Sequence, residues 1–169
     1  IMIDNGPHVD SNLIATLCAT DIITVPVAPT MIDSHSTYKF TTRLPDLLHT
    51  LVEEGERTTY PTITAFVTKF VNHGHQAIIS ESAFKVAQKI FGDGLFRTPL
   101  IESVAFSKTS ETFKTVCSQD PNLYDGSRPA LKKAISSVEK LADEVAYRID
   151  LIAEVTKKRT DNNVSTPIF

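Results

Sequence analysis

The sequence predicts an α/β protein with a mostly parallel sheet flanked by helices, and three observations carry that prediction. Short aliphatic runs alternate with longer segments of helical period along the whole chain. Four segments, residues 1–3, 22–27, 62–68 and 95–101, read as strands, and the first has the continuous aliphatic texture of a parallel-sheet strand rather than strict alternation. A long stripe closes the chain, in which Leu131, Ala134, Val138, Leu141, Val145, Ile149 and Ile152 recur at threes and fours.

The first run, Ile1 to Ile3, reads as the end of a buried strand with Asp4 at its carboxyl end. It lacks an initiating methionine and any cap ahead of it, so the chain reads as the interior of a longer protein. Asp10 or Ser11 has the side-chain oxygen to cap a short helix through about Ala19. The second run, Ile22 to Val27, must stop in the stretch from Pro26 to Pro29, because proline cannot donate to a central ladder. A helix is predicted from near Ile32 to about Glu54. Tyr38, Leu44, Leu47, Leu48 and Leu51 give its stripe, Pro45 offers a kink and Gly55 a stop.

Thr62 to Thr68 is rich in β-branched residues and reads as the third strand. After a polar loop from Asn72 to Gln76, a helix to Phe91 follows, with Ile79, Ala83, Val86, Ala87 and Ile90 at helical spacing and Gly92 and Gly94 to end it. Leu95 to Ile101 is the fourth strand, Ser110 to Cys117 a short helix, and Ser127 to about Lys158 the long one. Residues 159–169 are aperiodic and read as a tail, leaving residues 1–158 as one domain portion.

Composition narrows the function classes. The 169 residues, 41% of them hydrophobic, suit one domain with a sizeable core. A formal net charge of -3 gives no global excess of positive charge, so any nucleic acid must be met by a local patch. Cys18 and Cys117 lie far apart without metal-ligand spacing and read as reduced thiols. No apolar run is long enough for a bilayer span, and the reading is a soluble, cytoplasmic protein without membrane contact.

Asp4 is the residue with the most chemical content. An acid at the end of a strand is held by the sheet yet points into the crevice where open α/β sheets bind ligands. Such a carboxylate suits magnesium, which prefers hard oxygens and completes its shell with water and nucleotide phosphates, as in the Walker-B arrangement. Gly6 leaves the backbone beyond it open to close approach, and Pro7 stiffens the exit. The ordinary alternative is a turn hydrogen bond from Asp4 to nearby amides. A phosphate loop of the Gly-rich kind ending in Lys and Ser or Thr is absent, because the glycines at 6, 55, 74, 92, 94 and 126 form no such set. His8 reads as ordering the turn after Asp4, and His35 as a surface or dimer-face residue. Neither has a partner at zinc spacing.

The run IMIDNGPHVDSNLIATLCATDIITVPVAP, residues 1–29, resembles the Walker-B segment and following strand of the ParA-type plasmid partition ATPases, particularly the SopA-like branch. MIDSHSTYKFTTRLPDLLHTL (31–51), TAFVTKF (64–70) and AFSKTSETFKTVCSQDPNLYDGSRPALKKA (105–134) extend the resemblance, which covers about the first 155 residues. It implies a P-loop NTPase-like fold whose phosphate-loop half lies upstream. It also implies an ATPase that dimerises with ATP and Mg2+, binds nonspecific DNA, and is stimulated by a ParB-type centromere-binding protein.

On that resemblance Asp4 is the magnesium-side catalytic acid, with Asn5 and Gly6 near the phosphates. Asn5 departs from the small threonine usual there. Thr68 and Lys69 are placed to contact adenine or ribose. At residues 96–103 this chain has Leu100, Ile101 and Glu102 where relatives often carry Pro-Arg, so DNA contact shifts to Lys85, Lys89, Lys108, Lys114, Lys132 and Lys133. Competing expectations are a noncatalytic module of the same fold, an ATPase of division-site placement, and a purely structural dimer through residues 127–158.

Overall fold

The computed structural model describes residues 1–6, 9–111 and 113–162. Its elements run α1 (Ser11–Ala19), β1 (Ile22–Val27), α2 (Met31–Glu53), β2 (Thr62–Val67), α3 (Gly74–Phe91), α4 (Val104–Ser110) and α5 (Arg128–Asn162), with short 3-10 turns at Gly92–Gly94 and Val116–Ser118. Asp10 caps α1 by accepting the Leu13 amide at 3.0 Å, and Thr30 caps α2 by accepting that of Asp33 at 3.1 Å. Gly55 and Gly92, at φ +78 and +53, follow the ends of α2 and α3 in the region where a side chain is disfavoured. Pro45 lies inside α2 without ending it.

β1 and β2 pair in parallel, Ile22 opposite Thr62 through Val27 opposite Val67. One face of the pair carries Val25, Val27, Ala65 and Val67. Ala87 of α3 packs there, with Phe84 and Phe91 of α3 and Phe40 of α2 against the same cluster. A second cluster joins Leu13 and Leu17 of α1 to Leu44, Leu48 and Leu51 of α2. A third joins Ala105, Val116 and Tyr124 to Leu131 and Ala134 of α5. The sheet's other face presents Phe66, which stacks on Phe96 at 6.4 Å.

Four expectations need correction. Ile1 to Ile3 forms no ladder among the described residues and is exposed, Met2 to 92%. An aliphatic run becomes a strand only where another backbone takes its amides and carbonyls. Leu95 to Ile101 is a broken third strand. It joins β2 through isolated parallel bridges at Leu95 with Ala65 and Ile101 with Phe70, and the Leu100 amide reaches the Val67 carbonyl at 2.8 Å. Between the bridges Glu144 of α5 takes the amides of Arg97 and Thr98 at 2.7 and 2.8 Å, and Pro99 has none to give.

The short helix lies before Ser110 rather than after it. Ser103 caps it by accepting the Ala105 amide, and Phe113, at φ +54, stands beyond its end in a conformation no helix continues through. Last, α3 buries a different stripe. Ser80 and Ala87 are buried with Phe84 and Phe91 half-buried, while Ile79, Val86 and Ile90 are exposed. The aromatic residues at 84 and 91 fill the space over the sheet that the aliphatics were expected to fill.

Helix α5 spans 35 residues, about 52 Å at the α-helical rise. It is tied to the broken strand by side chains. Ser137 accepts the Ile101 amide at 3.1 Å, and Arg148 donates to the carbonyls of Leu95 and Asp93 while its guanidinium stands 5.4 Å from the Phe96 ring centre. The end of the expected tail, residues 163–169, lies outside the described residues, as do Pro7 and His8 with the roles expected of them.

Candidate nucleotide-side rim and basic faces

Residues 1–6 approach α1, where Asn5 Oδ1 accepts from the Thr16 hydroxyl at 3.2 Å. Asp4 is exposed, and its carboxylate makes no hydrogen bond or ion pair among the described residues. A side chain at Gly6 would meet no atom within 4 Å, so this backbone is open. A lone, accessible carboxylate fits magnesium, which is held by one or two carboxylates with water and phosphate making up the rest. Among the described residues no group of three or more His, Cys, Asp or Glu side chains gathers as an all-protein metal cage.

Thr68 and Lys69 stand at the carboxyl end of β2. The Thr68 amide donates to the Val27 carbonyl at 2.8 Å, which continues the β1–β2 pairing one residue past the strand. Lys69 follows with φ +49, a left-handed conformation uncommon for a residue with a side chain. It is exposed. Phe70 then pairs with the end of the third strand, its amide on the Leu100 carbonyl and its carbonyl on the Glu102 amide. The sharp turn at Lys69 lies between these two pairings. No hydrogen bond or ion pair joins residues 4–6 to Thr68 or Lys69 among the described residues, so the structure does not bring these two sets of candidates into contact.

The six lysines fall on three surfaces. Lys85 and Lys89 are exposed on α3. Lys108 is held by Asp125 at 3.2 Å, and Lys114 is exposed in the turn that follows α4. Lys133 donates to Asn72 at 3.2 Å. Lys132 lies in a row with exposed Arg128 and Lys140, at positions 128, 132, 136 and 140 of α5, where residues four apart share one face. Arg128 and Lys140 were missed in the sequence because the apolar stripe of α5 drew the reading, although the same spacing marks them.

Two charges committed to backbone groups, Arg57 buried and Glu144 half-buried, were also missed. Arg57, after α2, donates to the carbonyls of Leu17, Thr20 and Thr59, which closes the carboxyl end of α1. Burial lowers its affinity for the proton, and Cys18 and Asp21 oppose that shift. It lines a polar cleft of about 270 Å³ with Cys18, Asp21 and Glu56, and its guanidinium is already committed to carbonyls. Burial would raise the Glu144 carboxyl, but the amides of Arg97 and Thr98, with nearby Arg148, reverse this and hold it below its ordinary range. Nothing in the local sequence marks either residue, since the carbonyls of Leu17 and Thr20 that Arg57 binds and the amides of Arg97 and Thr98 that Glu144 binds lie 37 to 47 positions away.

No protein-family model matches the chain. It is 32% identical over 152 residues to the plasmid partition protein A of Escherichia coli, covering 90% of this chain and 37% of that relative. A solved structure of a partition protein superposes with a TM-score of 0.64 at 26% identity, over 89% of this chain and 35% of its own length. The chain therefore spans little more than a third of each of these two proteins.

Proposed function

Because this chain is homologous to the ParA-type plasmid partition proteins, we propose that it is the carboxyl-terminal part of a partition ATPase. In the intact protein ATP and Mg2+ bring two copies together, and the dimer holds nonspecific DNA of the nucleoid in the cytoplasm. A ParB-type centromere-binding protein stimulates hydrolysis, which releases it. The observation that carries the reading is the joint sequence and structural similarity over about nine-tenths of the chain. No helix among the described residues is long and apolar enough to cross a membrane.

When bound, magnesium neutralises phosphate charge during transfer to water. The residue of this chain that would hold it is Asp4, the magnesium-side catalytic acid, with Asn5 and Gly6 beside the phosphates and Thr68 and Lys69 toward the base or ribose. The open backbone at Gly6 and the exposed turn at Lys69 support these assignments. No Gly-rich phosphate loop occurs in these 169 residues, and this reading assigns it to a part of the partition proteins that the chain does not span. DNA contact is assigned to Lys108 and Lys114 and to Lys132 and Lys133 of α5, and the row Arg128, Lys132 and Lys140 strengthens the part played by α5. Flexible cations along a helix suit phosphates and read no bases.

The test is made on the full-length protein. Asp4→Ala should abolish magnesium-dependent ATP hydrolysis; turnover equal to wild type would remove Asp4 from the mechanism. Arg128→Ala with Lys132→Ala should weaken ATP-dependent binding to nonspecific duplex DNA. The salt dependence should flatten by about one unit of slope for each phosphate that the protein no longer neutralises. Full-length protein that carries a phosphate loop yet binds no nucleotide would instead establish a noncatalytic module, the reading that the unusual Asn5 favours.

A further inference from the structure

Helix α3 has more apolar surface than its own sheet can cover. Ser80, Phe84, Ala87 and Phe91 face inward, which leaves Ile78 63%, Val86 50% and Ile90 39% exposed. With Ser82 these residues form one row at steps of four. Beside it runs a second row, Glu81, Lys85 and Lys89. The carboxyl-terminal half of α5 carries the complementary pattern. Asp143, Tyr147 and Leu151 make an exposed row, with Tyr147 66% and Leu151 44% accessible, and Asp150 and Glu154 form the row beside it. None of Lys85, Lys89, Asp150 and Glu154 has a hydrogen bond or ion-pair partner among the described residues.

We propose that α3 of one copy of this chain docks against the carboxyl-terminal half of α5 of a second copy. Rows at steps of four are the ridges that interdigitate in the commonest helix-helix packing. Seating Tyr147 and Leu151 among Ile78, Val86 and Ile90 buries the apolar surface of both helices. The same seating brings Lys85 and Lys89 to Asp150 and Glu154. Both charged pairs are four residues apart, about 6 Å along a helix axis, so two ion pairs form in one register. DNA phosphates would satisfy the lysines but leave the aliphatic row in water. A second copy satisfies both.

The two ridges are different surfaces, on two different helices, so the contact is heterologous and each copy can engage two neighbours. It is separate from any nucleotide-dependent dimer and requires neither ATP nor DNA. Its ion pairs lie at the rim of the contact, and salt weakens it.

The experiment is sedimentation velocity on the full-length protein without nucleotide at low ionic strength. Wild type should show an average mass that rises with concentration and falls with added salt. Lys85→Glu with Lys89→Glu, and separately Asp150→Lys with Glu154→Lys, should each weaken self-association by about tenfold or more. Mixing the two variants should restore it, because each then offers the other a complementary ridge, and that recovery also establishes that both are folded. A wild-type mass that stays monomeric, or a mixture that fails to recover, would overturn the proposed docking. So would loss of DNA binding in the lysine variant with self-association unchanged, which would assign those lysines to DNA alone.

Discussion

Ile1 to Ile3 and Ile22 to Val27 are built from the same kind of residue and have opposite fates. The second lies beside β2 for its full length and has Val25 and Val27 buried beneath helices. The first lies open, with Met2 and Ile1 almost wholly in water. Hydrophobicity supplies the reason to leave water, but a strand also requires a neighbouring backbone for its amides and carbonyls. The third strand falls between these cases. It is paired at both ends and interrupted in the middle, because a carboxylate from α5 takes two of its amides.

Substitutions can break this contrast, and the largest effect belongs to the ring that α5 presses on the sheet. Phe96→Ala removes a side chain that is only 2% exposed and stacks on Phe66, and should cost about 3–5 kcal/mol, measured by urea unfolding of the full-length protein. Arg57→Met retains the packing of the stem but leaves the carbonyls of Leu17, Thr20 and Thr59 without their donor. A loss of about 2–3 kcal/mol is expected, and an unchanged urea midpoint would show that water replaces the guanidinium.

Glu144 sharpens the comparison through pH. Its folded carboxyl is held below the unfolded value of about 4.3, so its stabilising contribution is fully present above that value. It is lost as pH falls through the folded value. Glu144→Gln keeps one acceptor for the two amides and should cost about 1–2 kcal/mol near neutrality. The variant's stability should fall less steeply than wild type as the solution is acidified through the carboxylate range. Parallel pH profiles would remove Glu144 from the acid dependence.

Much of the fold was legible because it depends on local period and punctuation. The cap at Asp10, the stop at Gly55, the length of β1 and β2 and the inward residues at the start of α5 follow from residues a few positions apart. The candidate rim was legible only in its members. Thr68 and Lys69 follow a strand as expected, whereas Asp4, Asn5 and Gly6 follow a run that forms no ladder among the described residues, and the left-handed turn at Lys69 depends on how β2 meets the third strand. On α3 the period was right and the buried face wrong. Aliphatic and aromatic stripes share the helix, and only the depth of the gap above the sheet selects Phe84 and Phe91.

The sequence by itself determined the α/β order, most helix limits and the resemblance that links the chain to partition proteins, since these are properties of neighbours along the backbone. The tertiary structure alone decided which apolar runs are covered, which charges are spent inside the molecule and which stay free for a partner. Arg57 satisfies carbonyls and Glu144 satisfies amides brought from distant parts of the chain. Lys85 and Lys89 find no such group on their side of the sheet, and a charge is neutralised only by what the fold places within reach.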